Sequence, residues 1–172
     1  MLERLAAAFE AASEGSGRIA SWGMILVVAT VTLVVVLRYA FATGFVWLQE
    51  LYVALHGATF MLGAAYTLKH EGHVRIDIAY GRFGRGYRRW VDALGVVLLL
   101  IPTLGLILWT ALPYVADSWQ RLEGSRQSGG LPGAFLLKSV IPLFCLLMLG
   151  QAVALLIRCL EGRDPADRPS GP

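Results

Sequence analysis

The sequence predicts an all-α integral membrane protein of four transmembrane helices, with both termini cytoplasmic and an N-terminal helix lying at the membrane interface. Three observations carry this prediction. First, the 172-residue chain is 56% hydrophobic and only 16% charged, with a mean hydropathy of +0.61; a soluble domain is about 45–50% apolar and about 25% charged. Second, the apolar surplus is gathered into four runs, residues 19–37, 46–68, 91–116 and 134–157, each close to the roughly 20 residues that a helix needs to cross hydrocarbon. Third, Lys and Arg fall unevenly between the runs. One side holds Arg4, Arg18, Lys69, Arg75, Arg82, Arg85, Arg88, Arg89, Arg158, Arg163 and Arg168; the other holds only Arg38, Arg121, Arg126 and Lys138. The positive-inside rule then places both termini and the 69–90 segment in the cytoplasm. The formal charge of +3 is a topology signal and gives no reason to expect nucleic acid.

Residues 1–18 are expected to be cytoplasmic. Leu2, Leu5, Phe9 and Ala12 fall near one helical face, as in a helix lying on a membrane surface, and Gly15-Ser16-Gly17 is expected to break it. The run that follows is longer than the about 7–15 residues of a signal-peptide core. Glu3, Glu10 and Glu14 also dilute the positive charge before it, so a retained span is expected. Its mid-span hydroxyls, Thr30 and Thr32, can bond back to helix carbonyls. Arg38 and Tyr39 suit the interface at its end.

The turn over residues 40–45 is so short that the first two spans must be antiparallel neighbours. Phe41, Phe45 and Trp47 belong to an aromatic belt. Glu50 stands one turn into the second span, where a carboxylate needs a partner or water. Two readings stay open: a tie to Arg38 that clamps the hairpin, or a polar contact to a partner subunit or solute path. Ala54, Ala58, Gly57, Gly63 and Ala64 give the second span faces on which another helix can pack closely. His56 lies deep in this span, and the ordinary expectation is a buried, hydrogen-bonded imidazole.

The 69–90 segment is the longest polar stretch between spans. His70-Glu71-Gly72-His73 departs from the His-Glu-x-x-His spacing of zinc proteases, so no metal is expected. His73, Arg75 and Asp77 alternate with Val74, Ile76 and Ile78, which suits a segment skimming the interface. The arginines that follow suit anionic lipid headgroups. Pro102 and Pro113 are expected to bend the third span. Trp119 and the glycine-rich stretch after it make either a recognition loop or a solvated hairpin cap. Lys138 can snorkel outward from the fourth span, and Gly150 and Ala154 form a further close-packing pair. Residues 158–172 are expected to be a disordered cytoplasmic tail. Cys145 and Cys159 are fourteen residues apart on one predicted helix, about 21 Å, and cannot pair with each other.

The stretch from Arg38 to Asp77 resembles the small membrane subunit of TRAP (tripartite ATP-independent periplasmic) transporters, the DctQ type. The resemblance rests on Arg38-Tyr39 with Phe41, Trp47 three residues before Glu50-Leu51, Gly63-Ala64-Ala65, and His73-Val74-Arg75-Ile76-Asp77. It extends more weakly to Gly129-Gly130-Leu131-Pro132 and Ile141-Pro142. It implies a multi-pass subunit of the bacterial inner membrane that scaffolds a large multi-span permease subunit and helps to dock a periplasmic solute-binding protein. Transport would be sodium-gradient-driven symport of an organic acid, a 2-oxo acid or another carboxylate. No enzymatic activity and no cofactor are implied. Arg38, Trp47, Glu50, Gly57, Gly63, His73, Arg75 and Asp77 are the candidate structural and partner contacts, with membrane lipid around them. His56-Gly57 departs from the aromatic residues often found there. Two alternatives remain at this stage. A b-type cytochrome subunit would need paired His at membrane depth, and an autonomous homo-oligomeric transporter would need an intramembrane carboxylate, for which Glu50 is the candidate.

Overall fold

The computed structural model describes residues 1–70 and 85–160. These residues form the helices α1 (Leu2–Phe41), α2 (Val46–Lys69), α3 (Arg85–Gly95), α4 (Ile101–Gln120) and α5 (Ala134–Leu160). A π-helical turn, Val96–Leu100, joins α3 to α4, so the third span is one interrupted helix. Four helical segments are long and apolar enough to cross a membrane: Leu2–Phe41, Val46–Lys69, Trp90–Gln120 and Ala134–Leu160. The chain is an all-α four-span membrane protein. The hairpin turn after α1 and the loop after α4 share one end of the bundle, and residues near both termini share the other.

α1 differs from expectation. It runs unbroken through Gly15-Ser16-Gly17 for 40 residues, about 60 Å, twice the hydrocarbon thickness. The small residues there are contact points. Ser13, Ser16, Gly17 and Ala20 are buried. A Cβ on Gly17 would stand 2.4 Å from the Tyr66 ring, and one on Gly23 would stand 2.5 Å from Thr59 Oγ1. Without a hydrophobic drive between helices in lipid, such close approach supplies the attraction. The start of α1 packs Ala6 and Phe9 against Ala154 and Ile157 of α5, so it is a bundle element and not a separate interfacial helix.

The contacts set an antiparallel register between α1 and α2: Glu14 opposite Lys69, Gly17 opposite Tyr66, Ala20 opposite Gly63, Gly23 opposite Thr59. α1 stops at Ala42, whose left-handed backbone (φ 51°) lets its N–H and that of Thr43 reach the Leu37 carbonyl. The main core joins Ala65 of α2, Leu104 of α4, and Cys145 and Met148 of α5. Pro102 is the second residue after the π turn. A proline clashes with the carbonyl four residues back and offers no N–H, and the wider turn before it accommodates both defects. Pro113 lies inside α4 without interrupting it. Cys145 and Cys159 are buried thiols outside any disulfide.

Candidate partner-binding site

The hairpin end is capped by residues 121–133, and Glu50 holds the cap down. Its carboxylate accepts hydrogen bonds from Ser125 Oγ and from the Leu131 N–H at 2.7 Å. The cap folds on itself through Ser125 N–H to the Leu131 carbonyl at 2.8 Å. Gly129 takes a left-handed backbone, φ 76°. At Gly130 a Cβ would stand 2.4 Å from Ser125 Cβ and 2.7 Å from Glu50 Oε2. Beside this cap Glu123 accepts from Lys138 and from Ser118 Oγ, the latter at 2.8 Å. The Lys138 ammonium lies 4.0 Å from the Tyr114 ring centre, and its bond holds the Glu123 carboxyl below the usual carboxylate range, with Ser118 adding to the effect and burial opposing it. Trp119 donates to Ser139 Oγ at 2.8 Å and meets Phe135 edge-on. Residues 121–133 are thus a cross-braced cap.

Of the two readings open for Glu50, the tie to Arg38 gives way to these contacts. The α1–α2 register places Glu50 level with Leu33, about 7.5 Å along the axis from Arg38, while Ser125 and Leu131 lie directly above it. Sequence proximity favoured Arg38; the actual partners are 75 and 81 residues away. Arg38 and Trp47 are exposed at the hairpin end. A cavity of about 400 Å³ opens next to Glu50 between α2, the cap and the start of α5, lined among others by Gln49, Tyr52, Val53, Leu131 and Leu137.

At mid-depth, His56 is exposed on the surface of α2, against the expectation of a buried imidazole. Gly57 meets nothing within 4 Å of a built Cβ, so among the described residues no other helix packs against it there. Gly63 does pack: its Cβ would lie 3.6 Å from Ala20. His73, Arg75 and Asp77 lie outside the described residues, as does most of the arginine-rich segment.

The opposite end is strapped by charge. Glu14 accepts from Lys69 at 2.6 Å and pairs with His70 at 2.7 Å. Arg158 grips Glu10 with two bonds, at 3.1 and 3.0 Å. Between them Ser13 Oγ lies 3.0 Å from the Phe9 carbonyl and 2.9 Å from the side-chain amide of Gln151. A hydroxyl has one proton. With the Gln151 amide turned so that its nitrogen donates to Ser13 Oγ, Ser13 donates to Phe9 and the otherwise orphaned Nε2 gains a partner; such amide orientations are assigned from the network. Sequence reading missed Ser13, Ser16, Gly17 and Gln151. The signal was the spacing of small residues 13, 16–17, 20 and 23 along α1.

Among described residues no group of His, Cys, Asp and Glu could hold a metal. The ionisable side chains at the ends tie helices to one another. The sequence model for the DctQ component of tripartite ATP-independent periplasmic transporters matches residues 27–162, from within the first span to just beyond the last. Transporters of this type combine such a component with a large membrane subunit and a binding protein. No curated protein matches the chain. With four spans and a match over most of its length, the chain belongs to the DctQ family, the small membrane subunits of TRAP transporters, and is not an enzyme.

Proposed function

We propose that this chain is the small permease subunit of a sodium-gradient-driven, binding-protein-dependent transporter of an organic acid in the bacterial inner membrane, with both termini cytoplasmic. It scaffolds the large subunit and presents its hairpin end, on the periplasmic side, to the binding protein. The observation that carries this reading is where the polar groups lie. The ion pairs close helix to helix at one end and cap to helix at the other, and among the described residues the spans between them gather no cluster of ionisable groups. Transporter folds place their solute and ion sites at the bilayer midplane on broken helices and converging polar groups. Among the described residues one span is interrupted, and its π turn, Val96–Leu100, is wholly aliphatic. A chain built this way supports a transport path held by another subunit. The braced cap and exposed Trp47 offer a rigid surface for a soluble partner.

The substrate class we assign is a carboxylate, with 2-oxo acids first to be tried. The test is uptake of a labelled 2-oxo acid into proteoliposomes holding this chain and its large subunit, with the binding protein outside and an inward sodium gradient. The expected result is uptake that needs all three proteins and collapses without the gradient. Uptake by this chain alone would overturn the reading. Uptake of other carboxylates but not 2-oxo acids would correct the substrate only.

A further inference from the structure

His56 is the tenth residue beyond Val46 and the thirteenth before Lys69, about 15 Å and about 20 Å from the two ends of α2. That is the middle of the bilayer. Among the described residues it is the one ionisable side chain exposed near the middle of a span. Elsewhere the exposed mid-span surface suits lipid. α1 shows Ile25, Leu26 and Val28, and α4 shows Leu106, Trp109 and Leu112. The exposed threonines Thr30, Thr32 and Thr110 bond back to their own helix. Among the described residues the His56 imidazole makes no such bond. Its neutral form carries one donor and one acceptor, and acyl chains satisfy neither.

Three further features lie along the same strip. Val53 and Phe60, at helical spacing on either side of His56, are 57% and 74% exposed. Gly57, beside His56, leaves bare backbone that a second helix can approach. At its upper end the strip enters the cavity of about 400 Å³, whose lining it shares through Gln49 and Val53. The cavity has room for a bulky apolar side chain.

We propose that the α2 face bearing Val53, His56, Gly57 and Phe60 seats a transmembrane helix of the large permease subunit, which hydrogen-bonds His56 at mid-depth and fills the cavity below the cap. This rests on the proposed function and assigns it a surface. The partner helix carries a polar side chain opposite His56, a close-fitting backbone opposite Gly57 and a large apolar residue at the cavity.

The test uses the complex extracted in mild detergent with the tag on this chain. His56→Leu is expected to lower recovery of the large subunit about tenfold, the effect of one lost hydrogen bond between helices in lipid. His56→Gln, which keeps a donor and an acceptor, restores much of it, and Trp109→Ala on α4 changes nothing. A benzoylphenylalanine photoprobe at position 60 captures the large subunit, while one at position 109 does not; this readout stands even where a substitution disturbs folding. Unchanged recovery with His56→Leu, capture from position 109 instead of 60, or capture of lipid or a second copy of this chain at position 60 would each overturn the assignment while leaving the proposed function intact. If the unsubstituted chain recovers no large subunit at all, the proposed function itself falls, and this assignment with it.

Discussion

At Gly17 and Gly23 of α1 a side chain is excluded by the neighbouring helix, and at Gly15, two residues away, it is not. A Cβ at Gly17 would meet the Tyr66 ring and Tyr66 Cβ at 2.4 and 2.7 Å, so a rotamer change in Tyr66 cannot clear it; a Cβ at Gly15 meets nothing within 4 Å. Gly17→Leu is therefore expected to destabilise the bundle by about 1–3 kcal/mol, the usual range for overpacking. Gly15→Ala should leave it unchanged or slightly more stable, since alanine is the better helix former. Thermal unfolding of the purified subunit in detergent separates the two, and equal effects at both positions would refute the contact. Glu123 gives a prediction in pH. Its carboxyl is held low mainly by Lys138, then by Ser118. A lowered folded-state value means that its contribution is fully present above the ordinary value of 4.5 and is lost as pH falls from there through the folded-state value. Emission from Trp119, at the end of α4 beside the cap, should therefore shift on acidification below about pH 4.5. Glu123→Gln should abolish that shift; a shift that survives the substitution would assign the transition elsewhere.

At the scale of elements, the four spans were legible because long apolar runs have few other meanings. The expected runs beginning at 46 and 134 start where α2 and α5 start. α1 was not legible in the same way. Glycine and serine weaken an isolated helix, so Gly15-Ser16-Gly17 reads as a stop when only local preference is weighed. Packing against α2 reverses the sign, because the same residues let two backbones approach. Glu50 failed for a related reason: its partners come from a loop whose position no local pattern gives. Of the expected close-packing positions on α2, Gly63 meets α1, and a Cβ on Gly57 meets no described residue. The pin between α1 and α5 shows how such a contact can be tested. Ser13→Ala leaves the buried Gln151 amide without its partner and is expected to destabilise by about 1–3 kcal/mol. Gln151→Leu removes the demand together with the group, while Ser13 keeps its bond to Phe9, so it should do less harm. The double substitution should be milder than the sum of the two, and strict additivity in a double-mutant cycle would show that the side chains do not interact.

For the whole molecule, the two ends are secured differently, and that difference bears on assembly. At the hairpin end most ties run within or next to the cap, so the cap can act as one rigid surface. At the other end the ties run from one helix to two others: Glu14 of α1 to Lys69 and His70 at the end of α2, and Glu10 of α1 to Arg158 of α5. α1 is about twice as long as hydrocarbon requires, and its first half depends on these straps and on the small contact of Ala6 and Phe9 with α5. The Glu10–Arg158 side chains are only 15% and 22% exposed, so solvent screens them less than an ordinary surface pair. Arg158→Met should free the start of α1 without unfolding the spans. Amide exchange over residues 2–12 should speed up about tenfold or more, as expected for losing paired charged hydrogen bonds, while residues 19–41 stay protected by their packing on α2. If exchange rises equally along all of α1, the straps hold the whole bundle together. If it does not rise at all, the other contacts of α1, among them Ala6 and Phe9 against α5 and the Ser13–Gln151 pin, seat the N-terminal half without the Glu10–Arg158 strap.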